Sequence, residues 1–502
     1  MLTSPSRMAL LGDFSLWQIF CYVLGAYSAF SLVNAFYYCF FHPLANVPGP
    51  WHRAAFFFPS FWEIWTGDIV FNWKDLHDTY GNIVRISPTC VSVIDTDGWR
   101  DIYGSMTRKP IPKDPDVYFR NSDGVSNIVS SGDADHTRMR RLLSHAFSEQ
   151  ALRSQESLIN SYIDLLIEKL HKKTESNSSA NLMRWLNYTT FDIIGDLCFG
   201  ESFEALKNED YNFWITNIFK GLKIARMFRV FRAYPIVGVP LMSLLKLFPQ
   251  LANARQKHEQ YTIDKTARRL DVKTDRKDFM SYILKHNDEK GMTREEIMKT
   301  SGIVIIAGSE TSATLLSGAF YYLLDNPDWH KRLQHEIVSA FRNESEMTFA
   351  SLSQLKILNA VIQETFRMYP PVPTTLPRLT TQDGAMVCGK FIPPNVSVGI
   401  AQYPAYRSSH NFTDPDRFAP ERFLGDPKYE DDNRSIIQPF SVGPRNCIGQ
   451  MLAQAEIRTI LARLIWHFDM DLEAESRNWD KQKVFILWDK PSLMVRIRLR
   501  DS

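Results

Sequence analysis

The sequence predicts a mainly α-helical protein with small β-sheets, preceded by one N-terminal transmembrane helix. Helical periodicity dominates residues 135–204 and returns at residues 293–325. Alternation typical of a β-hairpin is confined to short segments such as residues 81–94. No Asp, Glu, Lys or Arg occurs in residues 14–52, so the N-terminal segment differs in composition from the body that follows it.

The apolar stretch of residues 16–41 is longer than the roughly 20 residues that cross a bilayer. Trp17 and the aromatic run at 36–38 suit the two membrane interfaces. A cleaved signal peptide is the alternative, but its apolar region would be shorter and would end in small residues. Here it ends in Phe-Phe-His-Pro at 40–43. We therefore predict an uncleaved anchor with a proline-rich hinge over residues 1–50, and one large body over residues 51–502.

Composition excludes several other classes of protein. The 502 residues carry a net charge of only +2, which gives no reason to expect a nucleic-acid partner. The six cysteines are far apart and form no C-x-x-C pair, so they indicate neither a disulfide framework nor a zinc site. Length alone would suggest two or three domains, but no shift in composition divides the body.

Residues 440–449 read Phe-Ser-Val-Gly-Pro-Arg-Asn-Cys-Ile-Gly and carry the strongest chemical signal. Gly443 and Gly449 let the backbone pass close to a flat ligand. Arg445 matches the geometry of a carboxylate. A thiolate from Cys447 suits the axial position of a haem iron, where it favours O–O cleavage. The alternative is a buried structural cysteine in a glycine loop.

A second motif lies inside the long helical stretch that starts after Thr293, where Thr-Arg-Glu-Glu predicts a capping box. Its middle reads Ala307-Gly-Ser-Glu310-Thr311. We expect Gly308, which has no Cβ, to let a ligand lie against the helix. The Thr311 hydroxyl can bond the carbonyl of Ala307 or a bound oxygen molecule, and the neighbouring acid can relay protons. The alternative is a contact of small residues between packed helices.

These motifs resemble those of the cytochrome P450 superfamily. The cysteine loop matches Phe-x-x-Gly-x-Arg-x-Cys-x-Gly at every fixed position, and the helix motif matches Ala/Gly-Gly-x-Asp/Glu-Thr. Between them, in family order, lie Glu-x-x-Arg at 364–367 and Pro-Glu-Arg-Phe at 420–423. The segment at 136–148 is similar to fungal enzymes of secondary metabolism, including trichothecene hydroxylases.

The resemblance implies the cytochrome P450 fold and a role for each matched residue. Cys447 would bind the iron of haem b, and Glu310 and Thr311 would deliver protons to bound oxygen. The remaining haem-binding residues would be His136, where most family members have tryptophan, Arg140, Arg378, Arg445, Phe440, Gly443 and Gly449. A buried network behind the haem loop would consist of Glu364, Arg367 and Arg422. The substrate pocket would include Ala307, Val372, Thr375, Leu376, Phe485 and Ile486, with the loop at residues 121–131.

The function implied is that of a membrane-anchored haem-thiolate monooxygenase that inserts one oxygen atom from O2 into an apolar terpenoid or polyketide. The chain has no convincing Gly-x-Gly-x-x-Gly fingerprint, so electrons are expected from NADPH through a separate cytochrome P450 reductase, with cytochrome b5 a further candidate donor. The resemblance places the protein in the endoplasmic reticulum membrane as a single-pass protein with a cytosolic catalytic domain. A haem-thiolate isomerase or dehydratase that does not use O2, and a non-catalytic haem sensor, are the alternatives. The intact Glu310-Thr311 pair favours monooxygenation.

Residues 222–251 combine basic and aromatic side chains, such as Arg226, Phe228 and Arg229, with the apolar run Pro-Ile-Val-Gly-Val-Pro at 235–240. This pattern suits a membrane-surface contact, and the resemblance suggests a substrate entrance there. An ordinary buried helix and loop is the alternative.

Overall fold

The computed structural model describes residues 15–104, 109–118, 124–175, 178–211, 213–217, 221, 231, 235–245, 249–272, 274 and 276–500. The helices are α1 Leu16–Phe40, α2 Trp51–Ala55, α3 Phe58–Thr66, α4 Ile69–Tyr80, α5 Asp97–Tyr103, α6 Asp133–Ala146, α7 Glu149–Glu175, α8 Leu182–Phe199, α9 Ala205–Asn208, α10 Pro235–Leu245, α11 Pro249–Asp271, α12 Phe279–His286, α13 Arg294–Asp325, α14 Pro327–Ala340, α15 Phe349–Leu352, α16 Lys356–Met368, α17 Gln402–Tyr406 and α18 Gln450–His467. The strands are β1 Ile83–Ser87, β2 Cys90–Val93, β3 Ala180–Asn181, β4 Arg378–Leu379, β5 Ala385–Val387, β6 Lys390–Ile392, β7 Ser397–Ile400, β8 Phe468–Leu472, β9 Lys483–Phe485, β10 Leu487–Asp489 and β11 Met494–Leu499. The predicted mainly helical fold with small sheets is confirmed.

Helix α1 is the apolar N-terminal segment that the sequence predicted. It starts at a capping box, in which the Ser15 hydroxyl accepts a hydrogen bond from the Gln18 N–H. Residues Trp17–Phe40 have a mean hydropathy of 1.6 and only 6% of this window is buried. A helix of this length that is apolar around its whole circumference and lies outside the protein core fits a transmembrane helix.

Helix α13 runs through the core and positions the chemistry. The predicted capping box is confirmed, because the Thr293 hydroxyl accepts from the Glu296 N–H and the Glu296 carboxylate accepts from the Thr293 N–H. The helix ends before Pro327, as predicted. Its mean hydropathy of 1.4 would also suit a membrane span, but two-thirds of it is buried against other helices of the protein, so it is a core helix.

The small sheets lie beside this helical core. The predicted hairpin is confirmed as β1 paired antiparallel with β2. Strand β2 also pairs in parallel with β7, and β7 pairs with β4, which carries Arg378. A second sheet has the order β3-β11-β8, and two-stranded hairpins form from β5-β6 and β9-β10.

The proline-rich hinge is packed onto the body. Leu44 is fully buried in the main hydrophobic core, and the Arg85 N–H donates to the carbonyl of Pro48 at 2.7 Å. Gly49 is required here, because a Cβ on it would collide with the carbonyl oxygen of Arg85. The segment that follows α1 is therefore held against β1.

Candidate functional site

The cysteine loop is a short 3₁₀ turn, Gly443–Arg445, followed by an extended residue and then Cys447. Gly443 has φ = 75°, and a Cβ on it would collide with the carbonyl oxygen of Tyr103 at the end of α5. The Cys447 N–H donates to the Phe440 carbonyl at 2.8 Å, which closes the loop. The ring of Phe440 packs edge-on against Phe366 of α16, so the loop is tied to the core on both sides.

Cys447 is accessible to solvent, although the surrounding protein partly desolvates its thiol. Burial raises the pKa of its thiol, whereas the Gly449 N–H and the positive charge of Arg140 lower it. The protein therefore supplies a backbone donor and a cation to the sulfur, which are the means of stabilising a thiolate ligand.

A cluster of basic side chains lies next to this loop. It contains His136 of α6, Arg378 of β4 and Arg445 of the loop, and His136 and Arg378 are buried. Burial lowers the pKa of His136 to about 4, with further lowering by Arg445, Lys113 and Arg140. The imidazole is therefore neutral at pH 7.

Two of these guanidinium groups have N–H donors for which no described residue provides an acceptor. Nε and Nη1 of Arg378 and Nη1 of Arg445 are buried without a hydrogen-bond partner. The other donors of Arg445 reach the Ser131 carbonyl and a carboxylate oxygen of Asp133, both at 2.8 Å. Unsatisfied buried cationic donors are costly, so their convergence indicates a site for an anionic group.

Lys113 belongs to this cluster and was missed at the sequence level. Its pKa is lowered to about 7 by burial and by the charges of Arg445 and Arg378. The backbone of Lys113 pairs with Arg378 in an isolated bridge, and its ammonium group lies over the ring of Tyr118. Lys113 sits in an irregular loop without a motif, so no spacing signal could have identified it.

Arg140 takes a different place from the other basic residues. Its Nη1 donates to the Asn446 carbonyl at 2.7 Å and its Nη2 to the Asn446 side-chain oxygen at 2.5 Å. Both terminal nitrogens thus bond the residue that precedes Cys447. The helix spacing of His136 and Arg140 does put them on one face of α6, but Arg140 braces the cysteine loop.

The structure brings Glu364, Arg367 and Arg422 together in the core. Arg367 forms a bidentate pair with Glu364 at 2.7 and 2.8 Å, and Nε of Arg422 lies 3.4 Å from the same carboxylate. A fourth member, Asp432, was missed; its carboxylate lies 2.5 Å from Nη1 of Arg422. All four side chains are 0% exposed. Asp432 stands in a polar loop with no motif of its own.

In the motif at residues 307–311 of α13, the Thr311 hydroxyl donates to the Ala307 carbonyl at 2.6 Å. Ala307 is exposed and Thr311 is partly exposed. In the middle of a helix that is otherwise buried, such exposure marks an internal space beside the helix. Residues four apart share one helix face, so both side chains open onto that space.

The expectation for Gly308 is wrong. A Cβ on Gly308 would lie 2.9 Å from Cδ1 of Ile194, a residue of α8. The room that this glycine provides is therefore filled by the neighbouring helix and not by a ligand. Small-residue packing between helices, the alternative weighed for this motif, accounts for Gly308.

Glu310 and Thr311 do not share an environment. Glu310 is 2% exposed, and its Oε1 lies 2.5 Å from Nζ of Lys490. Lys490 directly follows β10, and no pattern in the sequence connected it with α13. The carboxylate is thus held in an ion pair inside the protein.

The residues expected to line the substrate pocket lie in three places. Val372, Thr375 and Leu376 are partly buried in the segment between α16 and β4. Ile486, at the tip of the β9-β10 hairpin, is 51% exposed and has φ = 77°. The ring of Phe485 packs near Gly67, since a Cβ on that glycine would lie 2.8 Å from Cε1 of Phe485.

Part of the expected pocket and entrance lies outside the described residues. This applies to residues 121–123 of the loop, and to Arg226, Phe228 and Arg229. Helix α10 covers the apolar run at 235–240 and contains Pro240. The membrane-surface interpretation of residues 222–251 stays a prediction.

The residues present fit the haem that the sequence motifs imply. The cation cluster with unpartnered guanidinium nitrogens suits the two propionates of the macrocycle. Gly443 and Gly449 flank an accessible cysteine, and the donor set offers sulfur to iron. Among the described residues, no group of three or more His, Cys, Asp or Glu side chains is placed to hold a metal ion.

Comparison with known proteins gives the same assignment. Residues 48–496 match the sequence model of the family described as Cytochrome P450. The chain is 40% identical to the cytochrome P450 monooxygenase astJ of Aspergillus oryzae, over 94% of this chain and 95% of that protein. It is 42% identical to the monooxygenase aclL of the same organism, over 93% and 96%. It is 41% identical to the trichothecene C-4 hydroxylase of Trichoderma arundinaceum, over 92% and 93%.

Proposed function

We propose a specific role for this chain, which belongs to the cytochrome P450 family: it inserts one oxygen atom from O2 into an apolar terpenoid or polyketide of fungal secondary metabolism. The family and the relatives named as monooxygenases identify an oxygen-incorporating oxidoreductase. One observation supports the site most strongly. Buried guanidinium donors of Arg378 and Arg445 have no partner among the described residues, and Arg445 stands in the loop of Cys447 itself.

The family implies a haem bound through a cysteine thiolate. In this chain Cys447 would bind the iron, and Arg378, Arg445 and neutral His136 would donate to the propionates. When bound, the haem-thiolate iron supplies the activation of O2 and the insertion of oxygen. The network of Glu364, Arg367 and Arg422 would keep the cysteine loop in the geometry that accepts the cofactor.

The protein's own residues orient the substrate and exclude water. Ala307 and Thr311 open onto the internal space beside α13, and the Thr311 hydroxyl can turn from the Ala307 carbonyl towards a ligand. Val372 and Leu376 offer apolar surface to a substrate. A mostly apolar pocket with few polar groups favours a hydrophobic ring system over a charged metabolite.

Electrons would come from NADPH through a separate reductase, with cytochrome b5 as a second candidate donor. Helix α1 would anchor the enzyme in the endoplasmic reticulum membrane as a single pass, with residues 51–502 as the cytosolic catalytic domain. The exposed, uncharged surface of α1 supports the anchor.

The test begins with the enzyme expressed in membranes together with a fungal reductase. We expect the reduced carbon monoxide complex to show the spectrum of a thiolate-ligated haem. A spectrum typical of histidine ligation would overturn the assignment of Cys447. Metabolite profiling of a strain that lacks the gene should show one apolar intermediate that accumulates and one oxygenated product that disappears.

The substrate pocket is tested with that intermediate as substrate. Leu376→Phe narrows the segment between α16 and β4, and Phe485→Ala removes the ring near Gly67. Each change should alter the ratio of products. Unchanged product ratios in both variants would remove these two residues from the pocket.

A further inference from the structure

The acid of the oxygen-activating motif is fixed by a residue from the far end of the chain. Nζ of Lys490 lies 2.5 Å from Oε1 of Glu310 and 2.7 Å from Oγ1 of Thr314. The side chains of Glu310 and Lys490 are each 3% exposed. A buried ion pair of this kind persists only when its geometry is good, because both charges have lost their hydration.

Helix geometry separates this pair from the threonine of the motif. Successive residues of a helix are rotated by about 100°. Ala307 and Thr311 form one face, which opens onto the internal space. Glu310 and Thr314 are also four residues apart and form the adjacent face, which is turned to Lys490. In this arrangement the carboxylate is held beside the space and does not point freely into it.

The second oxygen of this carboxylate, however, accepts no hydrogen bond from a described residue. Oε2 of Glu310 is buried and has no hydrogen-bond partner among the described residues. Among the described residues, the phenols of Tyr211 and Tyr369 also lie near the carboxylate, and burial raises the pKa values of both. Neither phenol is ionised at neutral pH, so Lys490 is the cation that offsets the charge of Glu310. Oε2 is then the atom at which a proton or a water molecule would be held.

The position of Lys490 is itself fixed by its hairpin. Trp488 of β10 donates from its indole N–H to the Pro370 carbonyl at 2.8 Å, and its ring stacks on Tyr369 at 4.6 Å. Trp488, which makes both contacts, is only two residues from Lys490 in the chain. The ammonium group therefore approaches α13 from a rigid support.

We propose that Lys490 is a positioning residue for the monooxygenase reaction: it holds Glu310 as an anion on the face of α13 next to Thr311, with Oε2 free to accept and release the proton. The inference rests on the proposed function, because it assigns the proton-handling group of that site. Without Lys490 a buried carboxylate would take up a proton permanently rather than stay charged, and the group would no longer be ready to accept one.

The first experiment measures the protonation state of Glu310 directly in the purified haem-loaded enzyme. Infrared spectra of the wild type and of Glu310→Gln at pH 7 are subtracted in the region of the protonated carboxyl C=O stretch. The difference for the wild type should show no such band. Lys490→Met should gain a band that is absent from the double variant Glu310→Gln/Lys490→Met. If Lys490→Met alone folds poorly, comparison of the double variant with Glu310→Gln in turnover still tests whether the two residues act through one group.

The second experiment measures turnover with reductase, NADPH and the accumulated apolar intermediate. Lys490→Met should raise the hydrogen peroxide released per NADPH several-fold, whereas Lys490→Arg, which keeps the cation, should stay near the wild-type value. The double variant should not exceed Glu310→Gln, because the two residues act through one group. Lys481→Met, at an exposed lysine of the same C-terminal region, is the matched control and should change neither readout.

Absence of the new infrared band in Lys490→Met, or equal peroxide release from Lys490→Met and the wild type, would overturn the proposal. Failure of the proposed function would look different, since the wild type itself would then consume no NADPH and give no oxygenated product. The infrared comparison does not require turnover and so separates the two failures.

Discussion

Arg422 donates from Nη1 to a carboxylate oxygen of Asp432 at 2.5 Å, and neither side chain is exposed to solvent. The distance from Arg422 to Glu364 is longer, at 3.4 Å. Asp432 also accepts from the Thr413 N–H at 2.7 Å. Asp432 is therefore the nearer counter-ion of the arginine, and the network behind the cysteine loop has four charged members.

The Arg422–Asp432 ion pair predicts that the nearly isosteric substitution Asp432→Asn strongly lowers stability. Asp432→Asn removes the charge that offsets a fully buried guanidinium group, and we expect it to lower the free energy of unfolding by about 3 kcal/mol. Urea denaturation of the haem-loaded enzyme measures the change. Asp431→Asn, at the exposed neighbouring position, should stay within about 0.5 kcal/mol of the wild type. Equal effects of the two variants would contradict the prediction.

Lys113→Met should make the apoprotein more stable but should make the enzyme lose haem faster. Burial and the charges of Arg445 and Arg378 lower the pKa of Lys113 to about 7. For a base whose folded pKa lies below its unfolded value, folding at neutral pH disfavours the proton. Removing this lysine should therefore raise the free energy of unfolding of the apoprotein at pH 7, by about 1 kcal/mol or more.

The same substitution removes a cation that faces the proposed propionate site, so haem should dissociate faster. Urea unfolding of the apoprotein and transfer of haem to apomyoglobin measure the two effects. Lys109→Met, at an exposed lysine of the same loop, should change neither. A loss of apoprotein stability in Lys113→Met would argue against a repulsive cation cluster.

Glu456 of α18 predicts a dependence of stability on pH. Burial raises the pKa of this carboxyl from 4.5 to about 8, and the Ser312 hydroxyl donates to it at 3.3 Å. An acid whose folded pKa lies above its unfolded value stabilises the fold at low pH, and that contribution is lost as the pH rises from about 4.5 through about 8. Glu456→Gln keeps the shape but carries no proton to lose.

We therefore expect Glu456→Gln to melt closer to the wild type at pH 5.5 and at a higher temperature than the wild type at pH 8. Thermal unfolding of the haem-loaded enzyme at the two pH values measures the difference. An exposed acid, Glu475, provides the control: Glu475→Gln should give the same small shift at both pH values. A Glu456→Gln variant that is less stable than the wild type at pH 8 would refute the prediction.

The exposed aromatic side chains of α2 and α3 predict a membrane contact in addition to the proposed transmembrane helix α1. Trp51, Phe58 and Trp62 are each more than half exposed, whereas Arg53 and Glu63 of the same segment pair with each other in the interior. The segment thus presents aromatic side chains and no unpaired charge, which suits a membrane interface.

The prediction is tested on a form that begins at residue 43, so that the buried Leu44 is kept. Trp62→Ser and Phe58→Ser should each weaken its binding to vesicles of neutral and anionic phospholipid about tenfold, since burying such a side chain contributes about 1.5–3 kcal/mol. Phe391→Ser is the matched control, because Phe391 is as exposed as Trp62, at 57%, but lies in the β5-β6 hairpin. Equal effects of all three changes would rule out a specific contact.

The sequence predicted those parts of the protein whose signal is local. The anchor is one apolar run, the long core helix starts at a capping box, and the cysteine motif occupies ten consecutive positions. Each of these features depends on residues within one or a few turns of the chain. Helical spacing also placed Glu364 beside Arg367, because residues three apart meet on one face.

Local sequence motifs did not predict the surroundings of a residue where another helix packs against it. Gly308 resembles a ligand-facing position, but Ile194 of α8 fills the space beside it. The order of residues in the motif also did not show that Glu310 pairs with Lys490, while Thr311 lies on the face that opens onto the internal space. Neither point can be read from a motif, because a sequence does not state which helix packs on which face.

By itself, then, the sequence determined the fold class, the apolar N-terminal helix and the cysteine motif, because each depends on residues that are close together in the chain. Only the tertiary structure decided which charges meet. Lys113 joins Arg378 and Arg445, Asp432 joins Arg422, and Lys490 lies 180 residues from Glu310 along the chain but 2.5 Å from it in space. A buried charge must be paired with an opposite charge to be stable. The separation of such partners along the chain follows no helix or strand periodicity, so sequence spacing cannot identify them.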